Sequence, residues 1–86
     1  MKIVFIPHAL ERMKERKISK ELVIETITSP DEVYIGYFGR KVAQKRLNGK
    51  LIRVVYEESK DEVVVITVYI TSKLTKYGVK NDENLL

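Results

Sequence analysis

The chain has 86 residues, 44% of them hydrophobic and 33% charged, with 16 Lys and Arg against 12 Asp and Glu for a formal net charge of +4. That length holds one core, and the composition is that of a folded domain rather than a disordered one. Cysteine is absent and histidine occurs once, which excludes disulfide frameworks, thiolate zinc sites and cysteine catalysis and argues against a structural metal.

The apolar run at the start is too short for a signal peptide, and no segment approaches the ~18 apolar residues of a membrane span. No membrane partner is expected, and the cytoplasm is the expected location. The positive charge favours a polyanionic partner, either nucleic acid or an acidic protein.

Lys2 to Ile6 is a short β-branched and aromatic run, read as a strand. Pro7 suits the first turn of a helix that covers residues 7–16. Within it His8, Arg12 and Arg16 recur at steps of four and form one polar stripe, with Leu10 and Met13 on another face. Ser19 is the N-cap of a second helix, with Glu21 in its first turn and Ile18 stapling onto Val23. Leu22, Val23, Thr26 and Ile27 form its inner face, and Pro30 ends it by pushing Ser29 out of helical geometry.

The remainder reads as an antiparallel meander. Glu32 to Phe38 is a strand, with Gly36 and Gly39 as bend sites, and Lys41 to Leu47 is the next. Asn48-Gly49 is a hairpin signal because both residues tolerate positive φ. It sets Leu47 opposite Lys50, Arg46 opposite Leu51, Lys45 opposite Ile52 and Gln44 opposite Arg53. Leu51 to Glu57 returns, Ser59-Lys60-Asp61 turns, and Val63 to Thr71 closes the sheet. Carried through that turn, the register puts Lys45, Tyr56, Thr67 and Tyr69 on a binding face. It puts Leu51, Val55, Val64, Ile66, Val68 and Ile70 under the helices, with Arg46 and Arg53 near one end. The expected fold is α+β, two N-terminal helices packed on a four- to five-stranded antiparallel sheet in the order β-α-α-β-β-β-β. Residues 1–78 form its single domain and 79–86 a polar tail.

Each chemical feature has two readings. His8 is placed to accept a proton as a general base, or to cap its helix. Arg12 and Arg16 clamp a phosphate, or pair with Asp31, Glu32 or Glu25 to pin the helices. Lys41, Lys45, Arg46, Lys50 and Arg53 cluster around the hairpin, interleaved with Tyr34, Tyr37, Tyr56, Tyr69 and Tyr77. Such a surface fixes a phosphate backbone and stacks unpaired bases, or is a solvated edge with tyrosines packed on the sheet. Ser72, beside Thr71 and Lys73, is a weak nucleophile candidate because no Asp–His pair accompanies it.

The element order on a small basic chain resembles the RelE/ParE-like toxin superfamily, which includes the BrnT group. The local match is closer to a small uncharacterised prokaryotic family that looks like a branch of it. That match rests on His8-Ala9-Leu10-Glu11-Arg12-Met13-Lys14-Glu15-Arg16, Ile18-Ser19, Ser29-Pro30-Asp31-Glu32-Val33-Tyr34, Leu51-Ile52-Arg53-Val54-Val55-Tyr56 and Val65-Ile66-Thr67-Val68-Tyr69. The resemblance implies the toxin of a toxin–antitoxin pair, neutralised by a small antitoxin protein. RelE-type toxins cut mRNA on the ribosome with neither metal nor cofactor, using the RNA's own 2′-hydroxyl as nucleophile. Carried over, His8 or Tyr69 is the base. Arg12, Arg53 and Lys45 stabilise the pentavalent phosphate, and Tyr77 or a lysine serves the leaving oxygen. Arg16, Arg40, Arg46, Lys50, Tyr56 and Lys73 hold the RNA. RelE enzymes carry these groups mainly on sheet and C-terminal segments, whereas the stripe here sits on the first helix. ParE relatives poison a topoisomerase and cut no RNA. The alternative is therefore a non-enzymatic module that inhibits a protein or binds RNA without cleaving it.

Overall fold

A computed structural model of the chain describes residues 1–73. The elements are β1 (Lys2–Phe5), α1 (Pro7–Arg16), α2 (Lys20–Thr28), β2 (Glu32–Ile35), a 3₁₀ turn (Tyr37–Gly39), β3 (Lys41–Leu47), β4 (Lys50–Glu58) and β5 (Glu62–Thr71). The five strands form one sheet in the order β1-β5-β4-β3-β2. The fold is α+β, with both helices on one face, α1 against β5 and α2 against β3 and β4. Among the described residues, no helix is long and apolar enough to cross a membrane.

Local chemistry sets the helix ends. Pro7 opens α1, where its missing N–H is not needed. Lys17 closes it in the left-handed region at φ 57°, and the Ile18 N–H reaches back to the Met13 carbonyl at 2.8 Å. That chain reversal buries Ile18 beside the helix it ends. The Ser19 side chain accepts the Leu22 N–H at 3.1 Å and starts α2. Ser29, ahead of Pro30, leaves helical geometry and ends it. Val23 and Thr26 are buried, and Leu22 and Ile27 pack at the margin of the core, as the expected inner face requires.

The hairpin at Asn48-Gly49 has Gly49 at φ +75°, and its register matches expectation from Leu47 opposite Lys50 to Gln44 opposite Arg53. Three features differ from the sequence reading. The sheet is mostly rather than wholly antiparallel, because β1 pairs with β5 in parallel, Ile3 opposite Val63 and Phe5 opposite Val65. A parallel pair needs a crossover, and here everything between β1 and β5 supplies it. Strand β2 stops at Ile35 instead of Phe38, because Phe38 and Gly39 both take positive φ.

The third difference exchanges the faces of β3 and β4, while Val68 and Ile70 lie under the helices and Thr67 and Tyr69 on the other side as expected. The β4–β5 register steps from Val55 opposite Thr67 to Tyr56 opposite Val65, leaving Ile66 as an extra residue. This β-bulge lets Val63 and Val65 share a face with Val68 and Ile70 although the alternation between them breaks. All four point to the helices and join Ala43, Ile52, Val54 and Tyr56 in a core with Ala9, Met13, Ile18 and Val23. Tyr56 and Lys45 are therefore on the helix side, not on the expected binding face. Leu51, Val55, Arg46 and Arg53 are on the opposite face, not under the helices. The expectation failed because it carried strict alternation through a strand that does not alternate.

Burial holds the Tyr56 hydroxyl in its neutral form and pushes its pKa up from the ordinary value, an effect that Lys41 opposite it partly offsets. Lys41 is raised as well, by its hydrogen bond to Glu58. A raised folded-state pKa contributes stability that is complete below the unfolded value and is lost as pH rises through the folded one. Urea midpoints therefore fall above about pH 10. Tyr56→Phe, which cannot ionise, loses less stability over that range than the wild type. Superimposable pH profiles for the two proteins would contradict this role of Tyr56.

Candidate functional site

On the face opposite the helices, four residues stand in one row across four adjacent strands. Glu32 of β2 lies opposite Gln44 of β3, Gln44 opposite Arg53 of β4, and Arg53 opposite Tyr69 of β5. Their side chains are hydrogen-bonded in that order. The Gln44 Nε2 donates to Glu32 Oε1 at 2.5 Å. Arg53 Nη1 donates to Gln44 Oε1, and Arg53 Nε donates to the Tyr69 hydroxyl at 2.8 Å. The Arg53 guanidinium also lies 5.9 Å from the centre of the Tyr69 ring, within cation–π range.

Gln44 is the hinge of this row. It is fully buried, and its amide joins a carboxylate to a guanidinium, donating to one and accepting from the other. Cross-strand neighbours sit about 4.5–5.5 Å apart, so the sheet itself fixes this geometry. Arg53 and Tyr69 are half-buried, which reduces the rotamer freedom an arginine loses when it takes hold of a ligand. Alongside the row, the Asp31 carboxylate accepts the Arg46 N–H at 2.6 Å and anchors the start of β2. The Arg46 side chain is exposed on the same face as Arg53 by register.

The structure brings together only part of the set expected from sequence. Arg53 and Tyr69 are in direct contact. His8, Arg12 and Arg16 are on α1, which buries Ala9 and Met13 against the other side of the sheet. Arg12 is bonded to Glu15 in its own helix, while His8 and Arg16 are exposed. Lys45 donates to the Ser29 carbonyl at 3.0 Å and lies 3.8 Å from Glu25, so it closes the C-terminus of α2 with a favourable charge. Tyr56 is 5% exposed within the core. Arg40 is paired with Glu57 at 3.0 Å, Lys50 is exposed at the hairpin, and Lys73 is exposed just beyond β5. Tyr77 lies outside the described residues, as does the boundary expected at residue 78. Among the described residues, no group of three or more His, Cys, Asp and Glu is placed to hold a metal ion.

Sequence reasoning named Glu32 as a partner for Arg12 or Arg16 and Gln44 as the residue opposite Arg53, but placed neither in the site. The signal was present in the hairpin register, which placed Gln44 opposite Arg53, and a lone amide in a strand facing an arginine is a pairing to follow one strand further. Replacing Gln44 with Leu keeps most of its volume but removes the bridge, leaving Arg53 and Glu32 each short of a partner. Unfolding free energy from urea titration should drop by about 1–3 kcal/mol. A change below about 0.5 kcal/mol, the scatter of an ordinary surface substitution, would contradict this account of the row.

Residues 5–70 match the model of a family described as a domain of unknown function, DUF4258. We found no match among the curated proteins or the solved structures.

Proposed function

The chain belongs to the DUF4258 family; from its resemblance to RelE/BrnT-like toxins we propose that it is the toxin of a toxin–antitoxin pair, a metal-independent endoribonuclease acting on mRNA in the cytoplasm. The observation that carries this reading is the Arg53–Tyr69 pair held by Gln44 on the sheet face away from the helices. The resemblance assigns catalysis to sheet residues of this chemistry.

In such a reaction the RNA 2′-oxygen attacks the adjacent phosphorus. The bond from phosphorus to the 5′-oxygen breaks, and a cyclic phosphate and a free 5′-hydroxyl remain. Negative charge builds on the non-bridging oxygens of the pentavalent phosphate, and the Arg53 guanidinium offsets it. The Tyr69 hydroxyl, 2.8 Å from Arg53 Nε, is the group that exchanges protons with the reacting oxygens. Arg46 and Lys73 hold the flanking phosphates, and the net charge of +4 suits both RNA and a small acidic antitoxin.

One observation favours a second reading. The only histidine lies on α1, across the sheet from Arg53. The face thus carries, among the described residues, no imidazole to serve as a base at neutral pH. A module that binds RNA without cutting it needs none.

Inducible expression with mapping of RNA 5′ ends separates the two. The leading reading expects new ends and growth arrest. Arg53→Ala should lower cleavage about 10²-fold or more, the loss seen when a charge-stabilising donor is removed, while His8→Ala leaves cleavage intact. Unbroken RNA, with binding that weakens steeply as salt rises, would overturn the nuclease in favour of the binding module.

A further inference from the structure

We propose that β2 is the junction of a two-fold dimer, formed by antiparallel pairing of β2 with β2 of a second copy of this chain. This inference is independent of the RNA reading. It begins with the direction of the backbone groups. The β2–β3 register sets Tyr34 opposite Val42 and Ile35 opposite Lys41. Continued by one residue it sets Gly36 opposite Arg40, and the Gly36 N–H donates to the Arg40 carbonyl at 2.6 Å. Gly36 therefore belongs to a hydrogen-bonded pair. Such pairs alternate along an antiparallel ladder, so Glu32 and Tyr34 also turn their backbone polar groups toward β3. Val33 and Ile35 turn theirs outward, at the edge of the sheet.

That outward set is self-complementary. With a two-fold axis at Tyr34, Val33 meets Ile35 of the second copy and Ile35 meets its Val33, each pair exchanging N–H and C=O. The side chains agree with the backbone. Val33 is 46% and Ile35 79% exposed, and the pairing sets each against the other. Tyr34 falls opposite its own counterpart in a non-hydrogen-bonded pair, where side chains come closest and aromatic pairs stabilise a sheet. The segment Val33-Tyr34-Ile35 carries no lysine or proline, the residues that commonly blunt an edge. Phe38, 94% exposed and held at φ 60°, walls an apolar hollow of about 350 Å³ beside this edge, with Gly36, Val42 and Val55.

Charge selects the occupant. In this register Glu32 of the second copy falls opposite Gly36, and the next residue along that row on the same face is Arg40. Gly36 has no side chain to separate them. The edge thus carries at one end the Glu32 carboxylate, which also accepts from Gln44, and at the other, one strand in, the Arg40 guanidinium, which also pairs with Glu57. An antiparallel copy of itself complements both ends, whereas a uniformly acidic or uniformly basic strand complements one.

A junction this short buries less than the ~1,200–2,000 Å² of a standard interface, so the dimer forms in a concentration-dependent way. Sedimentation velocity over a concentration series, combined with amide hydrogen exchange, tests it. The expected result is a dimer whose formation protects the Val33 and Ile35 amides. Val33→Pro removes an outward N–H and leaves the β2–β3 ladder intact. Gly36→Lys fills the gap and adds a charge beside Arg40. A Cβ at Gly36 meets only the Arg40 carbonyl at 3.5 Å and a Val42 methyl at 3.8 Å, so the fold accommodates it. Each variant should weaken association about tenfold or more, with far-UV circular dichroism verifying its fold. A monomer at every concentration would overturn the proposal, as would a dimer in which the Val33 and Ile35 amides exchange freely.

Discussion

The extra residue in β5 decides which side chains of that strand reach each face of the sheet. Without the bulge at Ile66, strict alternation would place either Val63 and Val65 or Val68 and Ile70 away from the helices. In the first case nothing changes at Val68 and Ile70, and Val64 and Ile66 would face the helices in place of Val63 and Val65, so the bulge decides which apolar residues of the strand enter the core. With the bulge, all four face the helices, and Thr67 and Tyr69 fall on the other side. The same backbone irregularity thus admits Val63 and Val65 to the core while Tyr69 stands opposite Arg53.

The second layer of the account is electrostatic. A guanidinium half-buried on a sheet is held in place only when its donors are met. Here the meeting groups come from the strands on either side: the Gln44 amide oxygen and the Tyr69 hydroxyl. Gln44 in turn is anchored by Glu32. The Glu32 carboxylate is thereby separated from the guanidinium by one strand, and the Gln44 amide links the two. Arg40, Lys41 and Lys45 serve differently. Each is within 4 Å of a glutamate, and each ties two elements of the chain together.

Much of the fold was legible in the residues. Pro7, Ser19 and Pro30 mark helix ends through backbone chemistry that acts within a few residues, and Asn48-Gly49 fixes the hairpin for the same reason. The parallel pairing of β1 with β5 was not legible, because the contact spans the chain and nothing local encodes it. The bulge was not legible either, because Val64, Ile66, Val68 and Ile70 keep an unbroken two-residue apolar period and the strand reads as regular. For the site, Arg53 and Tyr69 stood out by type. Gln44 and Glu32 did not, since their role exists only once four strands are side by side. The stripe of His8, Arg12 and Arg16 was a true helical feature, yet spacing along a helix does not say which side of a sheet the helix will cover.

The central claim is that RNA engages the sheet face that carries Arg53. Backbone amide shifts recorded while a short single-stranded RNA is titrated into the labelled protein test it most directly. The account predicts that the perturbed amides cluster at Gln44, Arg46, Arg53, Thr67 and Tyr69, and that the cluster is lost in Arg53→Ala. Shifts confined to residues 8–16 of α1, with the sheet unchanged, would contradict it.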